Sequence, residues 1–313
     1  MVASGIDPAD AKRDAKAAII ARESAADTFK IVAAGYIEKL KREGRAPATM
    51  SKIEWLLSFA LPDLGKLRVG DITSANVLAV LRKVEAREAY ESAHPLRSTI
   101  GAVFRYGIAT TVCENDPTTA LRGALITPQV TPRAAILNAA DFGGLLRAIK
   151  DFDGQPSTTI ALQLMAYLFP RPGELRLAEW IEFDLKSAIR EIPANRMKMR
   201  RAHRIPLSKQ AVSLLEDLQS LTGRGKLVLS GTRSASRPIS ENTLNAALRR
   251  MGNSEEEVTA HGFRATASTF LNENGRWRPD VIEAALAHTG TGEVRRAYLR
   301  SDFWDERVEM MQW

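Results

Sequence analysis

Cysteine is almost absent from this sequence, since Cys113 is the only one among 313 residues. One thiol cannot form a disulfide within the chain or build a cysteine metal cluster, and a chain without disulfides fits a cytosolic compartment. Long apolar runs are absent too. The most apolar run, 160–169, has about ten residues, and a membrane-spanning helix needs about 20. The first residues lack a signal-peptide pattern, and no internal repeat or low-complexity segment occurs.

The chain does have an excess of positive charge. Lysine and arginine number 44 against 37 aspartates and glutamates, which gives a net charge of +7 and a pI near 9.6. This balance suits a polyanionic partner such as nucleic acid, although many basic proteins bind none. The length exceeds that of one usual domain, and 45% hydrophobic residues can bury a sizeable core. We therefore expect two folded domains.

Apolar residues at helical spacing predict a compact bundle of four helices within residues 27–118, with no strand pattern. The boundaries follow from capping residues, glycines and prolines. The first helix is predicted to start at Asp27 or Thr28, the second to end near Leu61-Pro62, the third to open at Ile72-Thr73, and the fourth to run from about Glu91 to Thr110.

The outer face of this bundle is basic. A solvated helix surface explains any single lysine or arginine there, but together these residues could hold a duplex through its phosphates. We take Arg97 and Arg105 as candidate DNA contacts. The whole set is Lys39, Lys41, Arg42, Arg45, Lys52, Arg82, Lys83, Arg97 and Arg105.

Residues 1–26 read as a lead-in, and residues 119–135 as an extended linker. Asp116-Pro117 just before it and two X-Pro steps within it interrupt any helix. Residues 136–313 read as an α-rich α+β domain. A small sheet is predicted from strands at 181–183, 188–192 and 203–207. Helices are predicted after the cap residue Asn138 and at about 157–169, 208–221, 240–251, 261–274 and 279–288, with Tyr298 on a last helix.

Several residues in this second domain are of the types that handle phosphate. An attacked phosphodiester gathers negative charge on its non-bridging oxygens, and arginine can donate two parallel bonds to them without losing its own charge. Arg171 follows a buried helix at a Pro-Arg-Pro-Gly turn. His261 and Arg264 lie three residues apart, on one face of a helix start. Each of these features alone also fits an ordinary surface turn or helix end.

Two further features concern proton transfer and nucleophilic attack. Lys198 lies in the basic run 196–204 between two predicted strands, where an ammonium group could protonate a leaving oxygen. A charged hairpin tip is the plainer interpretation of that run. Tyr298 stands in Arg-Arg-Ala-Tyr-Leu-Arg, and nearby cations can stabilise a phenolate. An ordinary helix tyrosine explains that segment equally well.

Taken in order, Arg…Lys…His-x-x-Arg…His…Tyr resembles the tyrosine recombinases, the integrases of temperate phages and genomic islands. The surrounding residues are similar to that family as well: Arg-Pro-Gly-Glu-Leu-Arg, Arg-Met-Lys-Met-Arg-Arg, His-Gly-Phe-Arg-Ala-Thr, Leu-Ala-His and Arg-Ala-Tyr. The resemblance covers about 135–313 closely and extends through about 27–118. It implies a mainly α protein with a SAM-like helical core-binding bundle and a catalytic domain containing a small antiparallel sheet.

The resemblance also implies roles for individual residues. Tyr298 would form a 3′-phosphotyrosyl bond, and Arg171 and Arg264 would hold the scissile phosphate. His261 would move a proton, Lys198 would act as general acid, and His288 would donate to the phosphate. Glu174 would support the site, without a metal or any other cofactor. Arg196, Arg200, Arg201 and Arg204 join Arg97 and Arg105 as expected DNA contacts.

The implied partners are double-stranded DNA at attachment sites, further copies of the chain in a tetrameric synaptic complex, and accessory DNA-bending proteins. The implied place of action is the nucleoid in the cytoplasm, away from membranes. Gly5-Ile6-Asp7-Pro8 resembles the tail of an arm-binding domain, so that domain is expected to be missing. The alternatives are a type IB topoisomerase-like enzyme, a catalytically idle DNA-binding accessory or decayed integrase fragment, and a basic helical protein unrelated to DNA.

Overall fold

The computed structural model describes residues 27–128, 134–197, 201–231, 234–288 and 302–313. The chain divides into two compact units, 1–130 and 131–313. No helix in the described ranges combines the length and the apolar character needed to cross a bilayer.

The first unit is the predicted bundle of four helices. They pack through a core that includes Phe29, Leu57, Leu81 and Phe104, all nearly inaccessible. Leu121 and Leu125, in the segment expected to be a linker, also belong to this core. The helices are α1 (Phe29–Arg42), α2 (Pro47–Leu64), α3 (Ser74–Glu85) and α4 (Tyr90–Ala109).

Two helix boundaries in this unit can be compared with their predicted positions. The predicted end of α2 at Leu61-Pro62 is wrong, because the helix continues to Leu64 with Pro62 inside it. Pro62 lacks the N–H that an interior helix residue donates, but the residues after it bury Leu64 in the core. The predicted start of α3 is confirmed: the Thr73 hydroxyl accepts from the Asn76 backbone N–H, and the Asn76 side chain accepts from the Thr73 N–H.

The second unit is helical around a small sheet, as expected. Its central helix buries Leu162, Leu164 and Met165 completely. The helices are α5 (Ala139–Lys150), α6 (Pro156–Leu168), α7 (Pro172–Arg176), α8 (Lys209–Thr222), α9 (Thr243–Arg250), α10 (Gly262–Asn274), α11 (Pro279–Ala285) and α12 (Trp304–Gln312).

Three antiparallel strands form the predicted sheet in the order β1-β2-β3, with Arg190 opposite Ile205 and Ile192 opposite His203. The expected first strand at 181–183 is mostly wrong. Ile181 lies in a 3-10 turn and is 90% exposed, so the apolar residues there do not face a core. The strands are β1 (Phe183–Asp184), β2 (Ile189–Ile192) and β3 (His203–Pro206), and an unpredicted hairpin adds β4 (Ser230–Gly231) and β5 (Ser234–Pro238).

Candidate active site

Arg171 is mounted where the buried helix α6 ends. Phe169 closes α6 in the left-handed region, at φ 35°, and Pro172 then begins the short helix α7 with Arg171 as its cap residue. The Arg171 Nη1 donates to Glu174 Oε1 at 2.6 Å, and the Arg171 backbone N–H donates to Glu174 Oε2 at 3.1 Å. Glu174 therefore fixes both the backbone and the side chain of Arg171.

Arg264 lies in the first turn of α10 and is only 7% exposed. Its Nη1 donates to the Phe169 carbonyl oxygen at 2.8 Å, and its Nη2 donates to the Leu286 carbonyl oxygen at 2.6 Å. The Arg171 Nη2 donates to the next carbonyl, that of Ala287, at 3.2 Å. The end of α11 thus holds both arginines, which stand 93 residues apart in the sequence.

Two of the carbonyls that hold the arginines belong to strained residues. Phe169 and Ala287 have φ values of 35° and 48°, in a region that residues with a side chain rarely adopt. Such a conformation costs on the order of 1–3 kcal/mol per residue and persists only where the surroundings enforce it. In both cases the strained residue presents its carbonyl oxygen to a guanidinium group of the site.

The two arginines form a positively charged pair. Burial, and then the neighbouring charge of Arg171, lower the pKa of Arg264 to about 10, so it still carries its charge at neutral pH. A guanidinium group has five N–H donors, and the bonds described above use only part of each set. Two fixed cations with spare donors are what a dianionic, pentacoordinate phosphorus requires.

His288 contacts Arg264 through one ring nitrogen and Glu283 through the other. Its Nε2 lies 3.1 Å from Arg264 Nη2, and its Nδ1 lies 3.0 Å from Glu283 Oε2. Since arginine only donates, Nε2 must accept, and the Nδ1 proton is donated to Glu283. In this arrangement His288 is an acceptor toward Arg264. The predicted donor role toward phosphate requires Arg264 to release that nitrogen.

His261 immediately precedes α10 and is half-buried, one helical turn from Arg264. Its position depends on Gly262, where an added Cβ would lie 2.1 Å from the Ala134 carbonyl oxygen. Only glycine lets the chain at 134–136 run this close to the start of α10. The site therefore brings together Arg171, Glu174, Arg264 and His288, with His261 on the same helix start, whereas Lys198 and Tyr298 lie outside the described residues.

The predicted DNA contacts differ in their surroundings. Arg196 does not point outward: its Nη1 forms an ion pair with Glu182, and its Nη2 donates to the Glu174 carbonyl oxygen at 3.4 Å. Arg196 therefore takes part in an internal ion pair, and its DNA contact stays a prediction. Arg201 is exposed, and Arg204 is exposed with its guanidinium 4.2 Å from the centre of the Trp304 ring. Arg200 lies outside the described residues.

The basic face of the first unit is exposed but largely paired. Arg105 lies 3.0 Å from Asp116, and Lys83 lies 2.7 Å from Asp63. Arg97 is half-buried. The Lys83–Asp63 pair is exposed and contributes at most about 1 kcal/mol, so a phosphate could replace its carboxylate at little cost, whereas the Asp116 side chain is only 6% exposed. The DNA contacts of Arg97 and Arg105 stay predictions.

Comparison with known proteins agrees with the fold. The phage integrase central domain matches residues 29–124, and the phage integrase family matches residues 136–304. The integrase of Enterobacteria phage P4 is 33% identical, over all of this chain and 73% of its own length. Two solved structures of lambda integrase have the same fold, each with a TM-score of 0.67. A dimer bound to a COC′ core site is 18% identical and covers 96% of this chain and 82% of its own. A tetramer bound to a Holliday junction is 19% identical and covers 94% and 84%.

These similarities establish both the class and the family. The fold is that of the tyrosine-type site-specific DNA recombinases, with a helical domain followed by an α+β domain around a small antiparallel sheet. The chain belongs to the phage integrase family, and its activity is site-specific recombination of DNA. The expected family resemblance, fold class and enzyme class are thereby confirmed.

Proposed function

We propose that this recombinase cuts and rejoins DNA at one active site formed by Arg171, Arg264, His261, Lys198 and Tyr298, through a 3′-phosphotyrosine bond. The observation that carries the proposal is the arginine pair, in which Arg171 and Arg264 are held by consecutive carbonyls at the end of α11. Two cations fixed at one place, with donors left over, suit a phosphodiester under attack.

The proposed cleavage step is balanced as follows. The Tyr298 phenol oxygen attacks the scissile phosphorus, and its proton passes to His261. The bond between phosphorus and the 5′ oxygen breaks, and that oxygen takes a proton from Lys198. Arg171 and Arg264 stabilise the charge on the non-bridging oxygens. Rejoining is the reverse reaction with the 5′ hydroxyl of another strand, so the phosphotyrosyl bond conserves the energy of the phosphodiester.

The proposed partners follow from charge and from the relatives. The net charge of +7 suits duplex DNA, and two lambda integrase structures contain DNA-bound dimers and tetramers. We place the chain in a tetramer on paired attachment sites, where it integrates or excises a mobile element with the help of DNA-bending proteins. Its place of action would be the nucleoid in the cytoplasm.

Covalent trapping on a nicked suicide substrate tests the nucleophile. After cleavage such a substrate releases the short fragment that carries the 5′ hydroxyl, so rejoining is prevented. The protein stays attached to the DNA and migrates as a heavier band. We expect the unchanged chain to form this adduct, and Tyr298→Phe to bind the same DNA without forming it. Tyr167→Phe is the matched control, because Tyr167 is a 40% exposed tyrosine elsewhere in the domain, and it should still form the adduct. An adduct on Tyr298→Phe in normal yield would remove Tyr298 as the nucleophile.

A further inference from the structure

Arg190 is an arginine with no exposed surface, at the centre of β2. Its Nε and Nη2 donate to Glu182 Oε2 at 3.2 and 3.0 Å, and its guanidinium lies 5.0 Å from the centre of the Phe183 ring. Burial lowers its pKa to about 10, so it remains charged at neutral pH. A buried ion pair is often no more stabilising than apolar side chains of the same size. Stability alone therefore does not explain its presence.

The remaining contact of Arg190 leads to the active site. Its Nη2 also donates to the Glu174 carbonyl oxygen at 2.8 Å, and Arg196 Nη2 donates to the same oxygen at 3.4 Å. The backbone N–H groups that follow α7 donate to other carbonyls: that of Leu177 to Gly173 and that of Ala178 to Leu175. Carbonyls at a helix end need such outside partners, and cations at that end also complement the helix dipole.

Helix α7 depends on this support because it has only five residues. A helix of that length gains too few backbone bonds to hold its shape in isolation. Within it, the Glu174 carboxylate holds the backbone and the side chain of Arg171. A continuous path of contacts thus runs from Arg190, through the carbonyl and then the carboxylate of Glu174, to the Arg171 guanidinium.

Glu182 joins a second arginine to the same path. Its carboxylate receives Arg190 on one oxygen and Arg196 on the other. Two guanidinium groups therefore share one buried carboxylate and one carbonyl oxygen. Removing Arg190 would leave Arg196 as the only side-chain donor to the Glu174 carbonyl among the described residues, at the longer of the two distances.

We propose that Arg190, paired with Glu182, is a positioning residue that sets the Arg171 guanidinium against the scissile phosphate by fixing Glu174. This inference rests on the proposed role of Arg171 in holding that phosphate. Arg190 itself touches neither DNA nor the reacting atoms. Its loss should therefore resemble a partial loss of Arg171, which differs from a general loss of folding.

A neutral substrate separates these two effects. In a methylphosphonate a methyl group replaces one non-bridging oxygen of the scissile phosphate, so the diester is uncharged and less negative charge develops during attack. An enzyme that has lost a charge-stabilising arginine should lose less activity on this substrate than on the ordinary phosphate. An enzyme that is merely less well folded should lose the same factor on both.

The experiment compares single-turnover cleavage of both substrates by the full chain and its variants. Arg171→Ala is the reference for loss of the phosphate contact, and Arg190→Met tests the inference. Arg176→Met is the matched control, because Arg176 lies in the same helix and donates to the Ile239 carbonyl at 3.3 Å without contacting Glu174. Thermal melting of each variant reports folding. If Arg190→Met does not fold, Glu182→Gln with Arg190→Met takes its place, since it removes both buried charges and keeps an acceptor for Arg196.

For Arg190→Met we expect phosphate cleavage to fall at least about tenfold, the scale of one charge-assisted hydrogen bond, and methylphosphonate cleavage to fall much less. Arg176→Met should keep the wild-type ratio between the two substrates. Equal loss on both substrates, or no loss on either, would overturn the role of Arg190. If Arg171→Ala itself showed no preference for the neutral substrate, the proposed role of Arg171 would fail instead.

Discussion

His203 allows a quantitative prediction about how stability depends on pH. It opens β3, and burial, followed by the positive charge of Arg307 in α12, lowers its pKa from 6.5 to about 4. A backbone bond with Ala285 in α11 and the charge of Glu174 oppose this shift, while the charge of Arg190 adds to it. The folded domain therefore keeps this imidazole neutral at pH values where a free histidine takes up a proton.

The sign of the effect follows from proton binding. In the unfolded chain His203 titrates near 6.5, so between pH 6.5 and about 4 the unfolded state binds a proton that the folded state does not. The free energy of unfolding must then decrease as the pH falls through this window. The loss from this one residue is about 2 kcal/mol by pH 5 and about 3 kcal/mol by pH 4. Above pH 7 it vanishes.

Urea unfolding at pH 7.5 and pH 5.0, on the unchanged chain and on His203→Gln, measures the contribution of His203 to the free energy of unfolding. Glutamine is neutral at both pH values and can still donate to a carbonyl. Tryptophan fluorescence mainly reports the second unit, because only Trp55 of the five tryptophans lies in the first. We expect the unchanged chain to lose about 2 kcal/mol more than the variant between the two pH values. Equal losses, or a His203 pKa near 6.5 from an NMR titration of the ring, would refute the reasoning.

Two further predictions concern the site itself. Glu174→Gln should keep DNA binding and slow single-turnover cleavage by about tenfold to a hundredfold, because Arg171 loses a charge-assisted bond of about 1.5–3 kcal/mol; an unchanged rate would contradict this support. Gly262→Ala should lower the free energy of unfolding by about 1–3 kcal/mol, measured with urea, because its Cβ collides with the Ala134 carbonyl. Gly173→Ala is its control, since nothing lies within 4 Å of the added Cβ there. Equal stability of the two variants would rule out the collision.

The helices were predictable because their apolar residues recur with the helical period and their ends carry recognisable caps. Thr73 with Asn76 and Asn138 before α5 are such caps, and both bond as the sequence indicates. The hairpin of β4 and β5 was not predictable, since the serines and glycine in these strands provide no alternation of apolar and polar residues. At Ile181 the error is the opposite one: apolar residues predicted a strand where the structure has an exposed turn.

The residue types of the site could be recognised from the sequence, but their contacts could not. Arg171 and Arg264 are held by the carbonyls of Phe169, Leu286 and Ala287, and a backbone carbonyl has no signature in the sequence. Arg190 did leave a signal. In β2 it alternates with Ile192, so the strand period places both on the buried face. An arginine at a buried strand position indicates an internal contact, here with the Glu174 carbonyl oxygen.

The arginine pair shows how the fold prepares two cations for the proposed phosphate contact. Burying Arg264 beside Arg171 is unfavourable, since burial first and then the charge of Arg171 lower the pKa of Arg264. The fold compensates with the carbonyl dipoles of Phe169, Leu286 and Ala287 and with the Glu174 carboxylate. Because these groups are fixed by folding, the two guanidinium groups would be in place before charge develops on a bound phosphate, and fixed donors then act at full strength. The strained backbone at Phe169 and Ala287 follows from that requirement, since each aims its carbonyl at one arginine.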